Sequence, residues 1–326
     1  MSTVAPLVSI GMPAFDCGET LAVAIRSIRN QTYKNWELLV MEDGSSDRTL
    51  EVARSFSDPR ISVLFDYSHK GLVPRLNQAV ATSHGEYFAR MDADDVAYPE
   101  RLERQVEYLQ QHPEVDLLGC PMLMFKDDGV AFGCRPTPEN HEEICRQPSS
   151  GFRIAHATLM GRVSWFRIHP YAPGAPRAED YDLFLRSYTT SRFACLCEIL
   201  YGCREDRLLL RKILVGRYGV VKAAAREFAS RRKYFTAAGA LLKQFAKAQV
   251  DVFAVLTGLD YRVLAHRARP LHADGLQRWT EVWSELQHET EGRAGRGKLL
   301  REPARWSGEA LGTAVGRSRS ISGGHL

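Results

Sequence analysis

Three acidic clusters have the residue types and spacings that chemistry on a phosphorylated substrate needs. In Asp92-Ala-Asp94-Asp95 the carboxylates crowd into one short stretch and repel one another unless a cation sits between them. On a turn at a strand end, alternate carboxylates can face one hard divalent ion and leave positions open for phosphate oxygens. A solvated turn with Asp95 capping the next helix would use the same residues. In Glu42-Asp43-Gly44-Ser-Ser-Asp47, Gly44 permits a sharp turn, and a carboxylate there can accept the imide N–H of a uracil ring. Taken alone, a plain strand–turn–helix junction with Asp47 as N-cap accounts for it. In Arg177-Ala-Glu179-Asp180-Tyr-Asp182, three carboxylates open an amphipathic helix. Acids there suit the positive end of the helix dipole, or one of them faces a cleft as a general base.

Short apolar runs and longer amphipathic stretches must position these clusters. Strands are expected at Leu7-Val-Ser-Ile-Gly-Met12, Trp36-Glu-Leu-Leu-Val-Met41, Ile61-Ser-Val-Leu-Phe65, Tyr87-Phe-Ala-Arg-Met91 and Val115-Asp-Leu-Leu-Gly119. Between them the spacing predicts helices from Asp16 to about Gln31, from Asp47, over Leu72–Ser83, and from Pro99 to about His112. Such alternation implies an α/β fold whose mostly parallel sheet is covered on both faces, with ligands beyond the C-terminal strand ends. Two of the acidic clusters stand at those ends.

Six segments, taken in order, resemble family 2 glycosyltransferases. They are Val8-Ser-Ile-Gly-Met-Pro-Ala-Phe, Asn30-Gln-Thr-Tyr-Lys-Asn-Trp-Glu, Glu42-Asp-Gly-Ser-Ser-Asp-Arg-Thr, Gly71-Leu with Arg75-Leu-Asn77, Gly85-Glu-Tyr through Arg90-Met-Asp-Ala-Asp-Asp to Pro99-Glu-Arg-Leu, and Ala178-Glu-Asp-Tyr-Asp-Leu. The resemblance covers about residues 6–200 and implies a GT-A (Rossmann-like) fold, followed by an α-helical C-terminal region. It implies a domain over 1–204, divided into a nucleotide-binding half (1–119) and an acceptor half (120–204). A basic helical region (205–288) and a tail expected to be disordered (289–326) follow.

By the same resemblance, Pro13 and Ala14 line the nucleotide pocket, Asp43 contacts the base with Glu42 beside it, and Lys70 to Arg75 flank base and diphosphate. Asp92 would face the ribose or a metal-bound water, and Asp94 would ligate Mn²⁺ or Mg²⁺. Asp180 matches the catalytic base, with Glu179 as the competing assignment. His156 and Arg162 fall on the acceptor side. The implied reaction is inverting transfer of a sugar from a nucleoside-diphosphate sugar, with UDP expected, to a glycan or polyprenyl-linked acceptor in cell-surface polysaccharide assembly. Two departures touch the acceptor side. Leu200-Tyr-Gly-Cys-Arg204 lacks the His of the family's Tyr-Arg-x-His, and His169-Pro-Tyr171 replaces Gly-Gly-Tyr.

Composition narrows the remaining classes. At 44% hydrophobic and 25% charged, the chain is neither disordered nor a disulfide scaffold. Residues 1–200 carry 20 Lys+Arg against 27 Asp+Glu, whereas 201–326 carry 23 against 12. The basic helices can lie on an anionic inner leaflet, or pack on the catalytic domain with a solvated basic face. No nucleic-acid module accompanies the charge. The seven cysteines lack zinc spacing and are expected to be reduced thiols. No leader and no membrane-spanning run is recognised, so a cytoplasmic location is expected, with peripheral contact at the membrane's inner face. A nucleotidyltransferase would need a Gly-rich basic loop after the first strand, and Met12-Pro-Ala-Phe-Asp16 supplies none. A degenerate sugar-nucleotide-binding scaffold is opposed by the retained Asp94 and Asp180.

Overall fold

A computed structural model describes residues 5–205, 209–259 and 268–291. Strands β1 (Val8–Ala14), β2 (Trp36–Glu42), β3 (Ile61–Leu64) and β4 (Tyr87–Arg90) form where the apolar runs fall. Helices α1 (Leu21–Arg29), α2 (Thr49–Arg54) and α3 (Leu72–Thr82) connect them. β1 lies parallel to both β2 and β4. Its near-complete burial, from Val8 through Ala14, is what a central strand with both faces covered requires. Pro74 falls in the first turn of α3, where a missing N–H costs nothing.

The sheet is mixed rather than a simple parallel series. Its order is β10-β6-β9-β4-β1-β2-β3, with β6 (Leu117–Gly119), β9 (Met160–Arg162) and β10 (Phe193–Cys195). β9 enters antiparallel between β4 and β6, so the fifth expected strand does not adjoin the fourth. Three residues arriving from a far loop carry no period by which a sequence reading could find them. A second sheet, ordered β5-β11-β7-β8, joins β5 (Val96–Ala97), β7 (Met122–Phe125), β8 (Ala131–Arg135) and β11 (Tyr201–Arg204). Helix α4 (Arg101–Gln111) leads back to β6; α5 (His141–Ile144) and α6 (Val163–Ile168) are short, and α7 (Glu179–Ser187) carries the third acidic cluster.

The basic C-terminal stretch is two different structures. Helices α8 (Leu210–Ser230) and α9 (Tyr234–Leu256) form a hairpin that reaches the rest of the fold through a small core of Tyr181, Leu185, Ala223, Ala224 and Phe228. Helix α10 (Ala273–Glu291), by contrast, belongs to the main core. Its Trp279 is 2% exposed and packs on Phe125 and Tyr98, with ring centroids 4.6 and 6.0 Å away. The indole Nε1 donates to Gly129 O at 2.8 Å. A Cβ on Gly202 would come 2.6 Å from the Trp279 ring, so the slot exists only because that residue is glycine. Of the tail 289–326 expected to be disordered, residues 289–291 instead complete α10, and 292–326 lie outside the described residues.

Candidate active site

Asp43 ends β2, and the loop before α3 folds around its carboxylate. Oδ1 accepts from Lys70 N at 2.8 Å and Arg75 Nε at 2.7 Å; Oδ2 accepts from Gly71 N at 2.9 Å and lies 3.0 Å from His69 Nδ1. Those contacts occupy its four lone-pair sites. Arg75, fully buried, also donates to Asp66 and Ser68 O, each at 2.7 Å. The arrangement therefore rigidifies the 66–75 loop, and Asp43 has no acceptor site left for a base unless exposed His69 swings aside. Glu42 accepts from Ser45 N at 2.6 Å, is 1% exposed, and borders none of the described cavities.

A cleft of about 930 Å³ opens beyond the ends of β1, β2 and β4. Pro13, Ala14, Asp43, Lys70 and Arg75 line one end, and Asp92, Asp94 and Glu179 the other. The carboxylate oxygens of Asp92, Asp94 and Asp95 lie within 4.8 Å of one another. Asp92 is clamped by Arg90 through both oxygens, at 2.9 and 2.6 Å. Asp95 is turned inward, where Oδ1 accepts from Arg204 N at 2.8 Å. Asp94 alone of the three is exposed. Loss of water around its carboxyl, and then Asp92, raise its pKa. Burial, and then Asp94, lift Asp95 much further. Carboxylates that disfavour their own charge in this way make a hard-oxygen donor set suited to a divalent ion.

A second chamber of about 640 Å³ lies on the other side of Asp92. Asp92, Asp180 and His156 face it. Burial raises the Asp180 pKa, whereas Glu179 is raised by burial and then by Asp180. His156 Nε2 lies 2.8 Å from Tyr171 Oη, and burial, reinforced by Arg90, keeps the ring neutral. Arg162 lies apart on β9, donating to Val115 O at 3.1 Å, and reaches neither cavity. Consecutive residues at the start of α7 thus face different spaces: Glu179 the cleft, Asp180 the chamber.

The profile of Glycosyl transferase family 2 matches residues 9–167. The "Putative glycosyltransferase EpsE" of Bacillus subtilis (strain 168) is 37% identical over 208 residues, 62% of this chain and 74% of that protein. The chain is a family 2 glycosyltransferase. A second relative, the UDP-Glc:alpha-D-GlcNAc-diphosphoundecaprenol beta-1,3-glucosyltransferase WfgD of Escherichia coli, is 40% identical over 181 residues, 55% of this chain and 68% of its own. TarS 1-349 of S. aureus, solved with UDP-GlcNAc, has the same fold: TM-score 0.56 at 16% identity, covering 88% of this chain and 82% of that one. This glycosyltransferase therefore has a GT-A fold and uses nucleotide-sugar donors.

Four basic residues at the candidate site carry no assigned role in the sequence reading: Arg90, Arg177, Lys222 and Arg204. Arg90 was read only as part of a strand motif, yet its burial beside Asp92 makes it the cation that fixes the acidic turn. Arg177 and Lys222 line the cleft from the side opposite the strand ends. Lys222 comes from α8, and nothing in the sequence marks it among its basic neighbours. Arg204, in the place of the family's His, donates through Nε to Asp94 O at 2.9 Å and so braces the turn from behind.

Proposed function

We propose that this glycosyltransferase inverts the anomeric centre of a UDP-sugar, using a divalent ion at Asp94 and Asp92 and Asp180 as general base. The observation that carries the reading is the shared wall: Asp92 borders both the cleft and the chamber, and Glu179 and Asp180 divide between them. A donor in the cleft and an acceptor hydroxyl in the chamber would meet there.

Asp180 takes the proton of the acceptor hydroxyl, whose oxygen bonds to the anomeric carbon as the bond to the diphosphate breaks on the opposite face. No covalent glycosyl-enzyme forms, and the base contributes about 10²–10⁴-fold. A divalent ion held by Asp94 and Asp92 would offset the charge growing on the leaving diphosphate. Lys70, Arg177 and Lys222 supply further positive charge around the cleft. Glu179, on the donor side, is the lesser candidate for the base. Phe15 and His69, with ring centroids 4.2 Å apart, can flank a base at the Asp43 end. Release of His69 would free one Asp43 lone pair for the uracil imide.

A polyprenyl-linked glycan acceptor, and a place on the inner face of the cell membrane, complete the reading. Support comes from the α8–α9 hairpin, where Phe235, Leu242, Phe245, Phe253 and Leu256 are all exposed among basic residues such as Lys243. No described helix is long and apolar enough to cross a membrane. The test is a thermal-shift titration with UDP, dTDP and GDP, with and without Mn²⁺, on the native chain and Asp94→Ala. A UDP shift that needs Mn²⁺ and disappears in the variant supports the reading. No shift with any nucleotide sinks it.

A further inference from the structure

We propose that the chamber beyond Asp180 binds a diphosphate ester carried by the acceptor, through Arg135, Arg153 and Arg269. This rests on the transferase reading for the role of the chamber, but not for the site itself. The three arginines come from segments far apart in sequence and converge on one cavity. Arg135, on β8, pairs with Glu205 at 2.5 Å. Among the described residues, the guanidinium groups of Arg153 and Arg269 have no partner. Of the two acids that face the same chamber, Asp92 is already engaged by Arg90, and Asp180 accepts from Tyr181 N at 2.7 Å. With Asp180 ionised, the wall therefore carries an excess of one positive charge.

The fold holds that excess in place. The backbone of Arg269 makes two hydrogen bonds to Cys134 on β8, Arg269 N to Cys134 O at 2.7 Å and Cys134 N to Arg269 O at 2.8 Å. This strap can lie so close because residue 133 is glycine: a Cβ there would come 2.6 Å from that of Ala268. Like charges gathered by a specific backbone pairing repel unless an anion joins them. Planar guanidinium forks match phosphate oxygens two at a time. An acceptor whose first sugar hangs from a diphosphate would present its hydroxyl toward Asp180 while its anionic group meets the arginines.

The experiment is calorimetric titration of the full chain, in EDTA so that no metal gathers diphosphate in the donor cleft. The probes are farnesyl diphosphate, farnesol and inorganic pyrophosphate. The native chain is expected to bind farnesyl diphosphate, and the double variant Arg153→Gln/Arg269→Gln to bind it at least about tenfold more weakly. Gly133→Val, which would push the strap off β8, should reproduce part of that loss. Unchanged affinity in the double variant, or farnesol binding as tightly as its diphosphate, overturns the proposal. Pyrophosphate binding as tightly, with the same loss in the variant, overturns the ester linkage in favour of a free diphosphate. The UDP–Mn²⁺ thermal shift is read on the same samples. Its absence beside arginine-dependent binding would refute the UDP–metal reading of the cleft and leave this site standing.

Discussion

The cleft and the chamber of this enzyme are built on different plans. Every charged group that lines the cleft, apart from Arg177, Glu179 and Lys222, comes from the first 94 residues, on turns that follow strands or on the first turn of α3. Asp43 is fixed by Lys70, Gly71 and Arg75 from the loop before α3 and the start of that helix, and the turn at Asp94 is braced by Arg204. The chamber instead gathers residues from β8, the 152–157 turn, the head of α7 and Arg269 on the strap. On the proposed reading, the groups that would meet the donor come mostly from one stretch of chain, whereas those that would meet the acceptor come from several.

Substitutions can break or sharpen that contrast. The largest effect is expected at Asp94→Ala, a loss of roughly 10⁴-fold in transfer with no loss of fold, measured by initial rates alongside thermal melting. Retained activity would detach the metal from the mechanism. Asp180→Asn should cost about 10²–10⁴-fold in kcat while leaving the donor KM near its native value. If Glu179→Gln proves the more damaging, the base belongs to the donor side and the division between the cavities fails. Trp279→Ala should destabilise the chain by about 3–5 kcal/mol in urea unfolding, because a buried indole leaves a cavity against Phe125 and Tyr98. A small cost would mean that α10 is an appendage. Lys222→Ala should raise the donor KM about tenfold with kcat little changed, if α8 contributes to the cleft as its position implies.

The pH profile is the finest of these tests. Burial raises the Asp180 pKa, and the base works only when ionised. Activity should therefore fall on the acid side at a pH above the ordinary aspartate range, and that limb should vanish in Asp180→Asn. A limb that survives the substitution would assign it to Glu179 or to the acidic turn.

What the sequence made legible follows the same division. The first four strands and the acidic turns lie in short runs with clear periods, so Asp43, Asp92 and Asp94 were found with their strand ends. The resemblance carried Asp180, and its helix begins one residue before it. β9 was missed because its three residues have no pattern of their own. The lysine at 222 was hidden by the many basic residues around it, since which of them reaches the cleft depends on how α8 sits against α7. Glu42 and Arg162 were singled out by position in a motif, yet their hydrogen bonds serve the turn at Ser45 and the backbone at Val115. Trp279 and Trp283 lie four residues apart on a helix, as packing residues would, but only the glycines at 129 and 202 reveal what they pack into.

The antiparallel strand β9 has one more consequence. It follows directly on the turn that carries His156 and is hydrogen-bonded to β4, the strand that runs into Asp92. The β4–β9 pair therefore acts as a gauge that fixes His156, on the chamber wall, relative to Asp92. The rim of the chamber, at 135–153 and 268–269, hangs outside that gauge. On the proposed reading, exchanging that rim would alter which acceptor is taken up while the groups around Asp92 keep their places.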